Sequence, residues 1–278
     1  MTIVIPCFND WKYIEQAVDS ALNQTYINKE IIVVDDGSDH RTRLKLSQLE
    51  PKISKLITQS NFGQSNARNR GIYEAKGVYI LVLDSDDFFE PKFCEMAVEE
   101  FEKSENIKIV TCYGNRIFES NGSKDIIKPT GGNITDFVQY NRSFGSCMFK
   151  KSDWVLVGGY DENMTQGFED WEFFIRILNS GGKCFVIPEI LFNYRVRNNS
   201  TTTRAYDKRY ELWKYIILKN EELFKQHFEV LVNHFLFTMH REDNEKLKLS
   251  QSMGLKIGNF ILFPFYKLKR FFNHLRAS

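Results

Sequence analysis

The chain has 278 residues, 42% of them hydrophobic and 26% charged, with a formal net charge of +1. This is ordinary globular composition, long enough for one large domain or a domain with an appendage, and the near-zero charge argues against nucleic acid as the main partner. Five scattered cysteines without C-x-x-C spacing suit a reducing compartment and argue against a disulfide framework or a zinc site.

The first hundred residues alternate strand and helix. "TIVIPCF" reads as a strand that starts at Thr2, so no signal peptide is expected. Ile14, Ala17, Val18, Ala21 and Leu22 then form one apolar helical stripe, with Asn9 or Asp10 as its expected cap. "EIIVVDDGS" is a second buried strand turning at Gly37, and "KLITQ" a shorter one. The stretch from Gly63 to Ala75 reads as helix, stopped by Gly77.

Residues 78–83 form a strand apolar on both faces, as in the interior of a parallel sheet. A helix is expected from about Pro91, then a strand at "IKIVTCYG". This order predicts an α/β fold with a doubly wound, mostly parallel sheet flanked by helices. Further on, "GSCMFKK" reads as a short strand, "FEDWEFFIRIL" as a helix and "KCFVIPEILFNYRV" as strands broken by Pro188. From Ala205 the chain is largely helical, so the expected division is a catalytic domain over 1–204 and a helical C-terminal region over 205–278. No apolar run approaches membrane-spanning length.

Three strands end in polar residues: Pro6-Cys7-Phe8-Asn9, Asp35-Asp36-Gly37-Ser38 and Asp84-Ser85-Asp86-Asp87. In open α/β sheets the ligand crevice lies beyond the carboxyl ends of the strands, so all three should line it. Three carboxylates this close repel one another unless solvated or met by a divalent cation, and Mg²⁺ and Mn²⁺ take carboxylate and phosphate oxygens. The polar run "NFGQSNARNRG", with Asn66, Arg68 and Arg70, reads either as a capped surface helix or as a donor-rich wall for a phosphate-bearing ligand. No G-x-G-x-x-G, P-loop or G-x-S-x-G motif is present, and His40 is the only histidine before His227.

"VIPCFN", "IIVVDDGSDH", "NFGQSNARNRGI", "GVYILVLDSDDFFEP" and "GFEDWEFFIRI" occur in an order and spacing that resemble the family 2 inverting glycosyltransferases of GT-A fold, over about residues 1–204. The resemblance implies a nucleotide-sugar donor, uridine diphosphate by default with thymine also compatible, and Mn²⁺ or Mg²⁺ as cofactor. It matches Asp36 to a base-reading aspartate, and Pro6 and Phe8 to residues flanking the nucleoside. Asn66, Arg68, Asp84, Ser85 and Arg197 fall on the donor side. Asp84-Ser85-Asp86 matches the metal motif, with Asp86 the direct ligand and Asp84 its companion.

Glu169-Asp170 matches the motif whose aspartate is the catalytic base, and Trp171 is expected to wall the acceptor side. Family members often carry Tyr-Arg-x-His after the last strand; here the stretch is Tyr194-Arg195-Val196-Arg197, and arginine can grip phosphate but not ligate a metal. The implied activity is metal-dependent transfer of a sugar to a saccharide or lipid-linked acceptor. A non-catalytic nucleotide- or sugar-binding protein on the same fold and a nucleotidyltransferase are the alternatives.

From Gly254 on there are basic residues and no acidic ones. Phe265, Leu268, Phe271, Phe272 and Leu275 share one helical face, opposite Lys267, Arg270 and His274. This tail suits an anionic membrane surface, or else packs on its own domain. The expected location is the cytoplasm, with peripheral attachment to the inner face of the cell membrane through the tail.

Overall fold

The computed structural model describes residues 1–197 and 201–253. In chain order its elements are β1 (Thr2–Cys7), α1 (Ile14–Leu22), β2 (Glu30–Asp36), α2 (His40–Leu49), β3 (Lys55–Gln59), α3 (Gln64–Glu74), β4 (Tyr79–Val82), β5 (Phe88–Phe89), α4 (Phe93–Lys103) and β6 (Ile107–Phe118). There follow β7 (Lys124–Ile127), α5 (Ile134–Phe137), β8 (Met148–Lys150), α6 (Lys151–Val157), α7 (Glu169–Asn179), β9 (Lys183–Val196), α8 (Thr201–Asp207), α9 (Arg209–Lys219), α10 (Glu221–Gln226) and α11 (Phe228–Gln251).

The strands form one sheet in the order β3-β2-β1-β4-β8-β6-β9-β5, with β7 paired to β6. β1 pairs in parallel with β2 and β4, β2 with β3, and β6 with β9. β1 is buried along its whole length and β2 along nearly all of it, which is why both read as unbroken apolar runs. α3 lies hard against β1 and β2. A Cβ on Gly71 would come within 2.4 Å of Val4 Cγ1, so only glycine lets this helix approach so closely.

Four local expectations change. β8 is a short strand as read, but it inserts antiparallel between β4 and β6, so β6 is not the direct neighbour of β4. "KCFVIPEILFNYRV" is one strand, not several. Its pairing with β6 slips between Ile187 and Ile190, so Pro188, which has no N–H for a ladder, falls in an irregularity. α4 starts at Phe93, with Pro91 in the turn before it. α3 ends when Ala75 turns extended, ahead of Gly77.

The chain divides into two compact units, Met1–His227 and Phe228–Ser278. The first runs past Arg204 to take in α8–α10, because that segment packs on α7: Trp213 meets Trp171 edge to face, and Lys219 reaches Asp161 at 2.6 Å and Glu172 at 3.0 Å. The described part of the second unit is mainly the 24-residue α11, which exposes Leu236, Phe237 and Leu247. The expected basic amphipathic tail lies outside the described residues. Among those residues no helix is long and apolar enough to cross a membrane.

Candidate active site

The carboxyl ends of β1, β2 and β4 come together, and the turn after β4 carries the acidic cluster. Asp84 Oδ1 accepts from Arg68 Nη2 at 2.8 Å and from Gln64 Nε2 at 2.9 Å. Asp86 Oδ2 is 2.6 Å from Arg197 Nη2. Burial pushes the Asp86 carboxyl up to about 7; Arg197 opposes the shift, while Asp84 and Asp10 add to it. Asp87 is buried and also raised, with its Oδ1 accepting from the Arg195 N–H at 2.8 Å.

Asp10, one of the two expected caps of α1, lies at the acidic turn instead. Its backbone carbonyl accepts from the N–H groups of Tyr13 and Ile14, which begins α1 without a side-chain cap. The carboxylate is thereby left for Ser85 Oγ, which donates to Oδ2 at 2.5 Å, and for Arg197 Nη1, 2.7 Å from Oδ1. Asn9, the other expected cap, adopts φ 58° and accepts from the Asp39 N–H at 2.7 Å. Ser85 is buried and its hydroxyl proton is committed to Asp10. Its side chain braces the acidic turn, which leaves its backbone as the part of this expected donor-side residue not engaged by Asp10.

Arg68 lies deeper than a wall residue would. It was expected on a phosphate-facing wall, yet it is 1% exposed and spans two carboxylates, with Nη1 2.7 Å from Glu169 Oε1 and Nη2 2.8 Å from Asp84 Oδ1. The cause is the fold: α3 packs its Arg68 face inward, over the ring of Tyr160. Arg70, two residues on, faces outward toward Glu74. Asn66 accepts from Gln59 Nε2 and donates to Glu162, so it links the rim of β3 to the loop before α7.

Asp36 accepts from the N–H groups of Phe62 and Gly63 at 2.9 and 2.8 Å and from Gln59 Nε2 at 2.8 Å. It therefore orders the loop that opens α3. A carboxylate has about four acceptor positions, so one more donor can be received. Pro6 is buried at the end of β1, while Phe8 just beyond is 46% exposed.

The Glu169-Asp170 pair opens α7. Phe168, immediately before it, holds a left-handed φ of 63°, uncommon for a bulky residue and a form of strain that gathers at functional sites. Asp170 Oδ1 accepts from the Trp171 N–H at 2.7 Å and Oδ2 from Asn141 Nδ2 at 2.9 Å. Burial raises its carboxyl to about 7, the neighbouring Glu169 adds to this, and Arg68 opposes it. Asn141 comes from a stretch with no periodic signal and was not anticipated. Trp171 is 3% exposed, with its indole N–H donated to the Phe137 carbonyl at 2.7 Å. Its expected place on the acceptor wall is corrected to core, because at the third position of α7 it points back onto α5 and α9.

Aspartate oxygens are the hard ligands that Mg²⁺ and Mn²⁺ prefer, so the Asp84/Asp86 pair fits such an ion in chemistry. Among the described residues no group of three or more His, Cys, Asp or Glu side chains is arranged to hold a metal. A metal here would complete its shell with oxygens from water or from a ligand.

Comparison with known proteins bears on the family and the fold. The profile described as glycosyl transferase family 2 matches residues 2–154, and one described as the N-terminal domain of galactosyltransferase matches residues 137–212. The chain belongs to glycosyl transferase family 2, and its mixed sheet with flanking helices is the GT-A fold. It is 29% identical over 234 residues to a chondroitin synthase of Pasteurella multocida (strain Pm70), covering 81% of this chain and 23% of that protein. It is 30% identical over 212 residues to a hyaluronan synthase of Pasteurella multocida, covering 73% and 21%. The chain thus spans less than a quarter of the length of these two relatives. The structure of S. aureus TarS 1-349 in complex with UDP-GlcNAc superposes with a TM-score of 0.69 at 16% identity, covering 92% of this chain and 77% of that one.

Proposed function

We propose that this chain transfers a sugar, with inversion, from a nucleotide diphosphate sugar to a hydroxyl of a saccharide or lipid-linked acceptor, in the synthesis of a surface polysaccharide or glycolipid. The observation that carries the proposal is the Asp170 carboxylate, held between Asn141 and the Trp171 N–H with its pKa raised to about 7, one residue from the Glu169–Arg68–Asp84 bridge. A general base works best when its pKa is near the operating pH.

In the reaction the acceptor oxygen bonds to the anomeric carbon as that carbon's bond to the diphosphate oxygen breaks. The hydroxyl proton goes to Asp170, and the diphosphate leaves with the electron pair. Asp84 and Asp86 would hold Mn²⁺ or Mg²⁺, which when bound offsets the charge that builds on the leaving diphosphate. The remaining acceptor position on Asp36 suits the N–H of a uracil or thymine base, with exposed Phe8 following the end of the neighbouring strand β1. The UDP-GlcNAc complex of TarS supports a uridine diphosphate sugar, and the names of the chondroitin and hyaluronan synthases support a saccharide acceptor. The enzyme works on the cytoplasmic side of the membrane, with residues 254–278 as its peripheral anchor.

The test is a radiolabelled transfer assay across nucleotide sugars and saccharide acceptors, with Mn²⁺ or with a chelator. Asp170→Asn should lower turnover by about 10²- to 10⁴-fold with little change in donor affinity. Normal turnover by that variant would remove Asp170 from the base role. No transfer or donor hydrolysis from any nucleotide sugar would overturn the reading.

A further inference from the structure

Arg197 is the only side chain among the described residues that forms an ion pair with Asp86. Its fork is divided, with Nη2 2.6 Å from Asp86 Oδ2 and Nη1 2.7 Å from Asp10 Oδ1. Its Nε is buried without a hydrogen-bond partner, and the guanidinium lies 5.3 Å from the centre of the Tyr13 ring. Neighbouring Arg195 is engaged elsewhere, on the Asp86 carbonyl and on Gln16 Oε1. Arg68 already meets Asp84 in this turn, and Arg197 is the cation that balances Asp86 as the structure stands.

A divalent ion on the Asp86 carboxylate would sit about 2.1 Å from its oxygen, against a guanidinium of the same sign. Two cations on one partly buried carboxylate, whichever oxygen each takes, repel one another. That repulsion favours release of the guanidinium, and release is easiest where another anion receives its planar fork. A diphosphate offers that geometry.

We propose that Arg197 is a resident counter-cation of the acidic turn, exchanged for the divalent metal when a diphosphate takes over its guanidinium. This rests on the donor-binding reading above and adds a coupling to it. Metal and diphosphate bind together because each removes an obstacle to the other, and the linkage is reciprocal. Arg197 is then a positioning residue for the metal before it is a phosphate ligand.

The test is Mn²⁺ binding followed by electron paramagnetic resonance, alone and with uridine diphosphate, on wild type, Arg197→Gln and Arg197→Lys. The Mn²⁺–nucleotide association in buffer is measured separately and subtracted. Wild type should take up Mn²⁺ poorly alone. Arg197→Gln should bind Mn²⁺ alone about tenfold tighter or more, while the gain on adding the nucleotide shrinks by a similar factor. Arg197→Lys keeps the charge but loses the fork, so it should fall between them; if the glutamine variant does not fold, the lysine variant decides.

Mn²⁺ uptake no tighter in the variants than in wild type overturns the exchange while leaving glycosyl transfer standing. Absence of Mn²⁺ uptake by all three proteins, with nucleotide present, overturns both the exchange and the metal role. The transfer assay, run separately, decides whether the enzyme reading survives.

Discussion

Arg68 Nη1 lies 2.7 Å from Glu169 Oε1, although 101 residues separate the two in the chain. The pair joins α3 to the start of α7, and through Nη2 the same guanidinium reaches Asp84. Removing the arginine would strand two carboxylates in partly or wholly buried positions. Breaking a buried pair in this way costs about 3–5 kcal/mol. Arg68→Ala should therefore lower unfolding free energy in urea by about that much, and Glu169→Gln in the same chain should restore part of it. If the two changes simply add, Arg68 and Glu169 are not coupled.

Asp170 makes a prediction about pH. Its carboxyl is raised to about 7, first by burial and then by Glu169, so below that value it is protonated and cannot accept a proton. Turnover should rise with pH through about 7 and level off above it. The sign for stability is the opposite. Because the folded pKa lies above the unfolded one, the protonated form favours the native state. This contribution is fully present below the unfolded value near 4 and is lost as pH rises through the folded value. Asp86, also at about 7, is separated by following carboxyl titration by infrared difference spectroscopy in wild type and Asp170→Asn, where the band lost belongs to Asp170. A turnover profile flat between pH 5 and 8 in the wild type would contradict the base assignment.

Gly145 tests how tightly the base is held. A Cβ there would lie 3.0 Å from Asp170 Oδ2 and 3.5 Å from its Cγ, so with a methyl group the carboxylate must give by a few tenths of an ångström. Small misplacements of a catalytic group are costly, and Gly145→Ala should reduce kcat about tenfold or more with donor affinity unchanged. Equal loss of donor affinity would mean the substitution disturbs the crevice as a whole.

The basic tail gives a prediction from sequence alone. Deleting residues 254–278 should abolish binding to anionic vesicles, and raising the salt should release the intact chain. Transfer to a soluble acceptor should persist. Vesicle binding that survives the deletion would place the membrane contact elsewhere.

The sequence by itself determined the strands and the strand ends. β1, β2 and β4 are apolar on both faces because they are buried between helices, and such runs are visible without any tertiary information. The acidic turns that follow them were legible for the same reason, since a parallel sheet brings its carboxyl ends to one edge. What only the tertiary structure decided is which partner each charge takes. Arg68 looked like a phosphate ligand and is a buried bridge, Asp10 looked like a helix cap and holds Arg197 across 187 residues, and Trp171 looked like a pocket wall and is core. The direction of β8, antiparallel between two strands that share a direction, was equally hidden. Periodicity records which face of an element is buried. It carries no record of the ion pairs and strand insertions formed between distant segments, which are selected by packing once the layers have assembled.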